Sequence, residues 1–256
     1  MLYNPTLERL RQMGLSGMAQ ALEEQDQSPK LMETASFGER LGLLVDAEWS
    51  YRTQRLFERR LKDAHLRFSQ ASMEDLDLHT PRGLDHQVMR ILASDRWIEE
   101  HLSVLIAGPT GVGKSYLACA LGQMALRRGH TVRYFRVSRL MDDLQGAKAQ
   151  GGWMRFLRGL ARCDLLVLDD FGLTPLTAPQ ARDLLEVIDD RTQARSTVVA
   201  SQFPIEQWHG VIQDPTLADA ILDRLAHQSY RLVMSGESMR KRGTQVTVEP
   251  NAGGEA

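Results

Sequence analysis

The sequence predicts an α/β domain built on a parallel β-sheet, preceded by a smaller domain made only of helices. Short apolar runs recur after residue 100, and each is followed by a stretch of helical periodicity. This alternation is typical of buried parallel strands joined by helices. The first hundred residues show helical periodicity without such runs. A chain of 256 residues is long enough for one α/β domain of ordinary size and a smaller second unit.

We predict four segments along the chain. They are a helical domain over residues 1–70, a linker packed on the next domain over 71–101, the α/β domain over 102–243, and a disordered tail over 244–256. Hydrophobic residues make up 43% of the chain and charged residues 25%, which is ordinary for a globular protein. The net charge of −2 indicates no particular partner, so any basic surface must be local.

Several classes of protein are disfavoured by what the sequence lacks. Cys119 and Cys163 are the only cysteines, and neither lies in a CxxC or Cys/His cluster, so a metal site or disulfide framework is unsupported. We expect both to be reduced core thiols. No apolar run approaches eighteen residues, and the N-terminus lacks a basic segment followed by an apolar one. We therefore expect a cytoplasmic protein that is neither exported nor embedded in a membrane.

The N-terminal domain begins with two helical patterns. Residues 6–25 carry leucines at helical spacing broken by Gly14 and Gly17, which predicts a short helical hairpin or a kinked helix. A second helix begins at the capping box formed by Ser36 and Glu39. We expect its apolar residues to face a core; these are Phe37, Leu41, Leu44 and Val45.

The next helix carries a basic face. On a helical wheel, an apolar stripe lies opposite a basic one. The apolar stripe consists of Phe57, Leu61, Ala64 and Phe68, and the basic one of Arg52, Arg55, Arg59 and Lys62. Six basic and two acidic residues lie between Arg52 and Arg67, which suits contact with a DNA backbone. A solvated helix face explains the same composition equally well, because charge runs often have no partner.

The most specific motif lies at residues 108–115, with the sequence GPTGVGKS, which matches the phosphate-binding loop pattern at every specified position. An apolar strand, Val104 to Ala107, precedes it and a helix over residues 116–128 follows, as the motif requires. Glycine-rich backbone N–H groups and the helix N-terminus bind phosphates. We therefore assign ATP binding to Gly108, Pro109, Thr110, Gly111, Val112, Gly113, Lys114, Ser115 and the adjoining Tyr116. Lys114 would reach the β- and γ-phosphates, and the Ser115 hydroxyl would ligate Mg²⁺.

Two carboxylates follow a second buried strand. The run from Leu165 to Leu168 ends in Asp169 and Asp170, which has the form of a Walker B motif. Asp169 would hold Mg²⁺ through water, and Asp170 would polarise the attacking water. Two acids at a strand end also occur in ordinary turns, but the phosphate loop in the same chain favours the catalytic interpretation.

Three further strands are predicted, at residues 131–135, 196–202 and 230–234, with helices at 138–150, 153–161 and 178–191. Another helix begins at Asp214 and carries Asp223 and Arg224 on its polar side. Ser201 or Gln202, at the end of a strand, could face the γ-phosphate. Polar residues also end strands simply to meet water, so the sequence leaves this open.

The chain resembles the IstB family, the ATP-binding helper proteins encoded beside the transposase in a family of bacterial insertion sequences. The resemblance covers nearly the whole chain. Its marks are LRQMGLSGMA at residues 10–19, PRGLD at 81–85, the phosphate loop, LDDFG at 168–172, SQFP at 201–204, DRLAH at 223–227 and GESMR at 236–240. The ATPase motifs identify only the AAA+ class, whereas the N-terminal stretch separates this family from DnaC-type helicase loaders.

The resemblance implies an AAA+ fold with a five-stranded parallel sheet of order 5-1-4-3-2 and an N-terminal domain that binds DNA. It places Arg224 as an arginine finger that reaches the ATP of a neighbouring subunit, Gln202 as a sensor of the γ-phosphate, and Arg240 as a second sensor in the ATP site. Two features depart from the AAA+ pattern. The usual Asp-Glu pair is Asp169-Asp170, which suggests slow hydrolysis, and the chain ends soon after Arg242, which leaves little room for a helical lid.

The expected function is therefore an Mg²⁺-dependent and ATP-dependent switch that assembles as a ring or spiral on double-stranded DNA, bends it, and activates a cognate transposase. Three alternatives remain at this stage. A helicase loader would share the ATPase core, a small-molecule kinase would use the same loop as a monomer, and a DNA-coating protein would bind DNA regardless of nucleotide.

Overall fold

The computed structural model describes residues 5–28, 33–78 and 80–239. The chain divides into two compact units, Met1–Lys62 and Asp63–Ala256. The predicted segment boundaries at residues 70, 101 and 243 stay predictions. The predicted tail and Arg240 lie outside the described residues.

Three helices make up the first unit: α1 (Pro5–Gln12), α2 (Ser16–Gln27) and α3 (Phe37–Ala64), the last of which extends two residues past the unit boundary. Between α1 and α2 the chain turns at Gly14, whose φ of +72° lies in the left-handed region that glycine tolerates best. This segment, predicted to be either a short helical hairpin or a kinked helix, therefore consists of two separate helices. The capping box at the start of α3 is present, with the Ser36 N–H donating to Glu39 Oε2 at 2.7 Å.

The prediction of two helices between residues 36 and 68 was wrong, because α3 is one continuous helix of 28 residues. It ends at Ala64, and the next residue, His65, has a φ of +54°, which no α-helix accommodates. Phe68 therefore lies beyond the helix and does not extend its apolar stripe.

The expectation that the first turns of α3 face a core was also wrong. Phe37, Leu41 and Val45 are 81%, 42% and 51% exposed. The contact between α3 and α2 is instead polar. Glu48, which is buried, accepts the N–H groups of Gly17 at 2.8 Å and Met18 at 3.1 Å at the start of α2. This carboxylate satisfies N–H groups that have no partner within α2.

Close approach of the two helices explains the glycine at position 17. A Cβ at Gly17 would lie 2.6 Å from the carbonyl oxygen of Ala47 and 2.7 Å from the Cβ of Tyr51. Neither atom is the end of a flexible side chain. Any larger residue would therefore force the helices apart.

The second unit contains a five-stranded parallel sheet. Its strands are β1 (Ser103–Ala107), β2 (Val132–Arg136), β3 (Leu165–Phe171), β4 (Ser196–Ser201) and β5 (Ser229–Val233). The strand order β2-β3-β4-β1-β5 is the order 5-1-4-3-2 read from the opposite edge of the sheet. The fold class expected from the resemblance is thus confirmed.

Helices connect and flank the strands. They are α4 (His86–Leu92), α5 (Arg96–Glu99), α6 (Lys114–Arg127), α7 (Val137–Ala149), α8 (Trp153–Arg162), α9 (Ala178–Asp189) and α10 (Pro215–Ala226). A short 3₁₀-helix, Ile205–Val211, was not predicted. Along the described parts of the chain, no helix is both long and apolar enough to cross a membrane.

The sheet positions the functional site. Adjacent residues of a strand point to opposite faces of the sheet, and Val104, Leu105, Val198 and Val199 are all buried, because helices pack on both sides. In a parallel sheet the carboxyl ends of all strands lie at one edge. The carboxyl ends of β1, β3 and β4 therefore bring together the phosphate loop, Gln202, and Asp169 and Asp170, which we call the acid pair.

Candidate functional site

The phosphate loop connects β1 to α6 in a conformation that requires glycine. Gly108, Gly111 and Gly113 have φ values of +150°, +92° and +105°. A Cβ at Gly108 would lie 2.2 Å from the carbonyl oxygen of Met234, and one at Gly111 would lie 2.2 Å from Ser238 Oγ. Both the backbone conformation and the covering segment after β5 thus exclude a side chain at these positions.

The remaining loop residues hold the loop in place. Lys114 Nζ donates to the carbonyl oxygen of Pro109 at 2.8 Å. Val112 is fully buried, and its carbonyl oxygen accepts from Arg82 Nη1 at 3.3 Å. The N-terminus of α6 begins at Lys114, so its free N–H groups and partial positive charge lie at the loop.

A cavity of about 350 Å³ opens beside the loop. This size falls within the range of small-molecule sites. Among the predicted site residues, the cavity is lined by Thr110, Gly111, Gly113, Lys114, Ser115, Tyr116, Asp170 and Gln202. Eight of the predicted phosphate and hydrolysis residues therefore lie around one cavity.

The acid pair lies at an irregularity in the pairing of β3 with β4, between Leu168 and Phe171. Such irregularities redirect side chains. Asp169 is 1% exposed, and its two oxygens accept from the Tyr134 hydroxyl at 2.7 Å and the Asp170 N–H at 2.9 Å. Asp170 has a φ of +56°, a strained conformation that aspartate adopts more readily than most residues. Asp170, and not Asp169, lines the cavity.

Burial and neighbouring charges shift the pKa values of Asp170 and Tyr134. Burial raises the pKa of Asp170, and the negative charge of Asp169 raises it further, while Arg67, Arg136 and Lys114 oppose the rise. Burial and the Asp169 carboxylate also raise the pKa of the Tyr134 phenol. Tyr134 therefore stays a hydrogen-bond donor to Asp169 and holds that carboxylate in a fixed orientation.

The two polar residues at the end of β4 differ in what they contact. The Ser201 hydroxyl is buried, donates to the carbonyl oxygen of Phe171 at 2.7 Å and accepts the Phe203 N–H at 3.1 Å. Gln202 Oε1 instead accepts from Thr110 Oγ1 of the phosphate loop at 3.1 Å. Of the two, Gln202 is the one bonded to the loop, and its role as a sensor of the γ-phosphate stays a prediction.

Arg224 is not in this cavity. It lies near the end of α10 beside residues that precede or begin the strands, His101, Ser103 and Arg195. Arg224 Nε forms an ion pair with Asp189 Oδ1 at 2.5 Å. The opposite ends of β1, a strand of five residues, are about 16 Å apart at ~3.3 Å per residue. Arg224 therefore cannot reach the phosphate loop of its own chain.

The predicted DNA-binding residues share one face of α3. Arg52, Arg55, Arg59 and Lys62 are exposed. At 100° per residue they span about 80° of the helix surface. Arg52 Nε is ion-paired with Glu48 at 2.6 Å, and the Arg55 guanidinium lies 5.8 Å from the centroid of the Tyr51 ring. DNA contact by this face stays a prediction.

The cavity is also lined by side chains that were not predicted to belong to the site, among them Arg67, Phe68 and Arg82. Arg67 was counted among the six basic residues of the segment that contains the basic face, but its Nη1 atom lies 3.9 Å from an oxygen of each acid, Asp169 and Asp170. No local pattern indicates this proximity. Arg82 belongs to the family motif at residues 81–85, so the sequence indicated that this residue matters. The sequence did not indicate that Arg82 contacts the phosphate loop.

The oxygens of the site suit Mg²⁺. Within residues 5–28, 33–78 and 80–239, no cluster of three or more His, Cys, Asp or Glu side chains could hold a metal alone. Magnesium in phosphate sites is usually bound by one or two protein oxygens together with the phosphates. The Ser115 hydroxyl and the acid pair offer such hard oxygens beside the loop.

Fold and site together define an ATP-binding domain of the AAA+ class. A family model described as IstB-like ATP binding protein matches residues 8–247. The chain belongs to this family. An insertion-sequence ATP-binding protein of Sinorhizobium fredii, y4pL, is 47% identical over 241 residues, which are 94% of this chain and 98% of that protein. The IS1162 ATP-binding protein of Pseudomonas fluorescens is 46% identical over 204 residues, 80% of this chain and 88% of that protein.

Solved structures with the same fold include a DnaC helicase loader and DnaI. The DnaC structure has a TM-score of 0.54 at 18% identity, covering 66% of this chain and 98% of that one. DnaI has a TM-score of 0.55 at 19% identity, covering 69% of this chain and 93% of that one. At these identities the similarity concerns the fold alone.

Proposed function

We propose that the protein is an ATP-dependent DNA-binding switch of an insertion sequence. It binds ATP with Mg²⁺, assembles as a ring or spiral on double-stranded DNA in the cytoplasm, bends the DNA and recruits and activates the cognate transposase. ATP hydrolysis to ADP and phosphate then resets the assembly. The insertion-sequence relatives that match 80% or more of this chain support the biological context.

Within one subunit, the cavity supplies most of the hydrolytic machinery. The loop N–H groups and Lys114 would bind the phosphates. The Ser115 hydroxyl and, through water, Asp169 would hold Mg²⁺, which would supply positive charge beside the β- and γ-phosphates. Asp170 orients and polarises the attacking water from the cavity wall. Gln202, bonded to Thr110, senses whether the γ-phosphate is present.

One observation supports the proposal that ATP hydrolysis depends on assembly. Arg224 lies near the beginning of the strands of the sheet, and the phosphate loop lies at their carboxyl ends. An arginine finger must contact the transferring phosphate, where it contributes about 10³–10⁵ in rate. Arg224 can do this only in the site of a second subunit. Hydrolysis thus becomes a property of the oligomer and not of the monomer.

DNA would be held by the basic face of α3, so that each subunit added by ATP adds a further set of cations along the backbone. Since coupling between two binding sites is reciprocal, ATP and DNA must each tighten the binding of the other. Hydrolysis then weakens both assembly and DNA binding. This is the behaviour required of a switch that marks target DNA for a transposase and then releases it.

The experiment that tests this function measures particle size and ATPase rate with and without duplex DNA and ATP. The wild-type protein should form large assemblies only with ATP, and DNA should increase its turnover. Arg224→Ala should reduce turnover by at least about 10³-fold while retaining ATP binding. Arg231→Ala, which removes an exposed arginine of β5, is the matched control and should behave as wild type. Monomeric turnover that ignores DNA would instead indicate a kinase.

A helicase-loader function would use the same ATPase core, and the similarity to the DnaC fold favours it as the second candidate. The two functions differ in the protein partner. In a pull-down with ATP and DNA, the proposed function predicts retention of the cognate transposase and not of a hexameric replicative helicase.

A further inference from the structure

Two arginines line the cavity besides Lys114. Arg82 donates to the carbonyl oxygens of Val112 and Asp77, whereas Arg67 lies beside the acid pair. The side chain of Arg67 lines the cavity together with Lys114, Ser115 and Asp170 and is 30% exposed. Its Nη1 atom lies 3.9 Å from Asp169 Oδ2 and 3.9 Å from Asp170 Oδ2. These separations allow electrostatic attraction but exceed hydrogen-bond distance. Among the described residues, the guanidinium makes no hydrogen bond, so its donors remain available to a ligand.

The position of Arg67 is built into the fold. The preceding residue, Leu66, is buried and packs against α6, where a Cβ at Gly122 would lie 3.0 Å from Leu66 Cδ2. The following residue, Phe68, contacts the Tyr116 ring with centroids 6.0 Å apart. The carbonyl oxygen of Ser69 accepts from Gln123 Nε2 at 2.8 Å. Three successive attachments to the helix after the phosphate loop thus hold Arg67 at the cavity.

Charge explains why a cation is needed there. A triphosphate, Asp169 and Asp170 are all anionic, whereas Lys114 is the only cation of the phosphate loop. A guanidinium offers a planar fork of N–H donors that matches phosphate oxygens better than an ammonium does. Because Arg67 lies beside the acid pair, it would meet the terminal phosphate, next to the attacking water, and not the phosphates bound by the loop backbone.

We propose that Arg67 is a phosphate-binding residue supplied in cis, which contacts the γ-phosphate of ATP and makes the site prefer ATP to ADP. The inference rests on the proposed ATP site but requires neither DNA binding nor a transposase. Arg67 would differ from Arg224, because it acts within its own subunit and on binding as well as on the reaction.

The test compares equilibrium affinities for β,γ-imido-ATP and ADP, both with Mg²⁺ and without DNA. In Arg67→Ala, the affinity for the imido analogue should fall by about 10- to 100-fold, as expected when a hydrogen-bonded charge pair is removed. The affinity for ADP should change by less than about 3-fold, because ADP lacks the contacted group. Retained ADP binding also shows that the variant is folded.

Arg136→Ala is the matched control. Arg136 Nε lies 3.7 Å from Asp170 Oδ2, so it also offsets the charge of Asp170, but the side chain does not line the cavity. Its removal should leave the preference for the imido analogue over ADP unchanged. Arg67→Lys, which keeps the charge but not the planar fork, should retain more of the preference than Arg67→Ala.

Two results would overturn the inference. Equal decreases in affinity for the imido analogue and for ADP in Arg67→Ala would make Arg67 a general structural or electrostatic residue. An equal decrease of the preference in Arg136→Ala would mean that both arginines act only through the acid pair. Failure of the ATP site itself would look different, since the wild-type protein would then bind neither nucleotide.

Discussion

At the scale of single residues, Asp169 and Asp170 are adjacent in sequence but have different environments. Asp169 is buried, and both its oxygens are used by Tyr134 and by the Asp170 N–H. Asp170 has a raised pKa and a partly exposed side chain at the cavity. This asymmetry supports the proposed roles, in which Asp169 would hold Mg²⁺ through water and Asp170 would polarise the attacking water.

Asp170→Asn should lower the ATPase rate by at least about 10²-fold, because asparagine cannot accept the proton of the attacking water. Nucleotide affinity should be retained or slightly increased, since one negative charge next to the phosphates is removed. Asparagine also tolerates the φ of +56° at this position, so the backbone should persist. Single-turnover hydrolysis and equilibrium titration measure the two effects separately.

The control for this substitution is Asp190→Asn, at an exposed carboxylate at the C-terminal end of α9. It should change neither quantity. An Asp170→Asn protein that hydrolyses ATP at the wild-type rate would refute the role of Asp170 as the group that polarises the water.

At the scale of elements, the carboxylate of Glu48 on α3 caps the start of α2. Burial acts to raise its pKa, but hydrogen bonds from Arg52, Met18 and Gly17 outweigh burial and lower it. A carboxylate with a lowered pKa in the folded state stabilises the fold above its unfolded pKa and loses that contribution as the pH falls through its folded pKa.

Glu48→Gln should therefore lower the free energy of unfolding by about 1–3 kcal/mol at pH 7. The difference between wild type and variant should shrink as the pH falls below the ordinary value of 4.5, because protonated Glu48 resembles glutamine. Denaturant titrations between neutral and acid pH measure this difference. Glu24→Gln, an exposed residue of α2, is the control and should show little effect at any pH. A difference that is constant with pH would contradict the ionic cap.

A separate prediction concerns DNA binding by the basic face of α3. Reversing Arg55 and Arg59 to glutamate should weaken duplex DNA binding and reduce the slope of log affinity against log salt by about 1 for each phosphate that the helix no longer neutralises. The control reverses Arg90 and Arg96, two exposed arginines of α4 and α5. Unchanged affinity and slope in the α3 variant would leave this face as a solvated surface.

At the scale of the whole molecule, the proposed function implies that one chain contains only part of the hydrolytic site. Arg224 is held by Asp189 and by the carbonyl oxygen of Ala220 at the far edge of the sheet. An arginine that acts in a neighbouring site must belong to a surface that a second copy approaches. Heterologous contacts of this kind generate rings or helical filaments.

Mixing two inactive variants tests this arrangement. Lys114→Ala cannot use its own ATP site, and Arg224→Ala lacks the finger, so each protein alone should be nearly inactive. In mixed assemblies, about a quarter of the interfaces should join an intact phosphate loop to an intact Arg224 under random heterologous pairing. ATPase activity should therefore recover to about a quarter of wild type. Particle size with each variant labelled shows whether the assemblies contain both proteins, and no recovery in such mixed assemblies would exclude a finger supplied in trans.

Local sequence determined the ATP site and the class of fold. The glycines, Lys114 and Ser115 must be close together in the chain to form a phosphate loop, so this motif can be identified without a structure. The boundaries of the buried strands were predicted within about two residues, because the apolar runs of these strands are continuous. The sheet order needed the family resemblance, since strand neighbours are distant in sequence.

Tertiary structure decided what these local patterns could not. It made α3 one helix with an exposed apolar start, joined Glu48 to α2, and brought Arg67 and Arg82 to the phosphate loop. It also separated Arg224 from the loop of its own chain. Side chains far apart in the sequence meet only after the chain has folded, so their distances and charges are set by packing and not by any local motif.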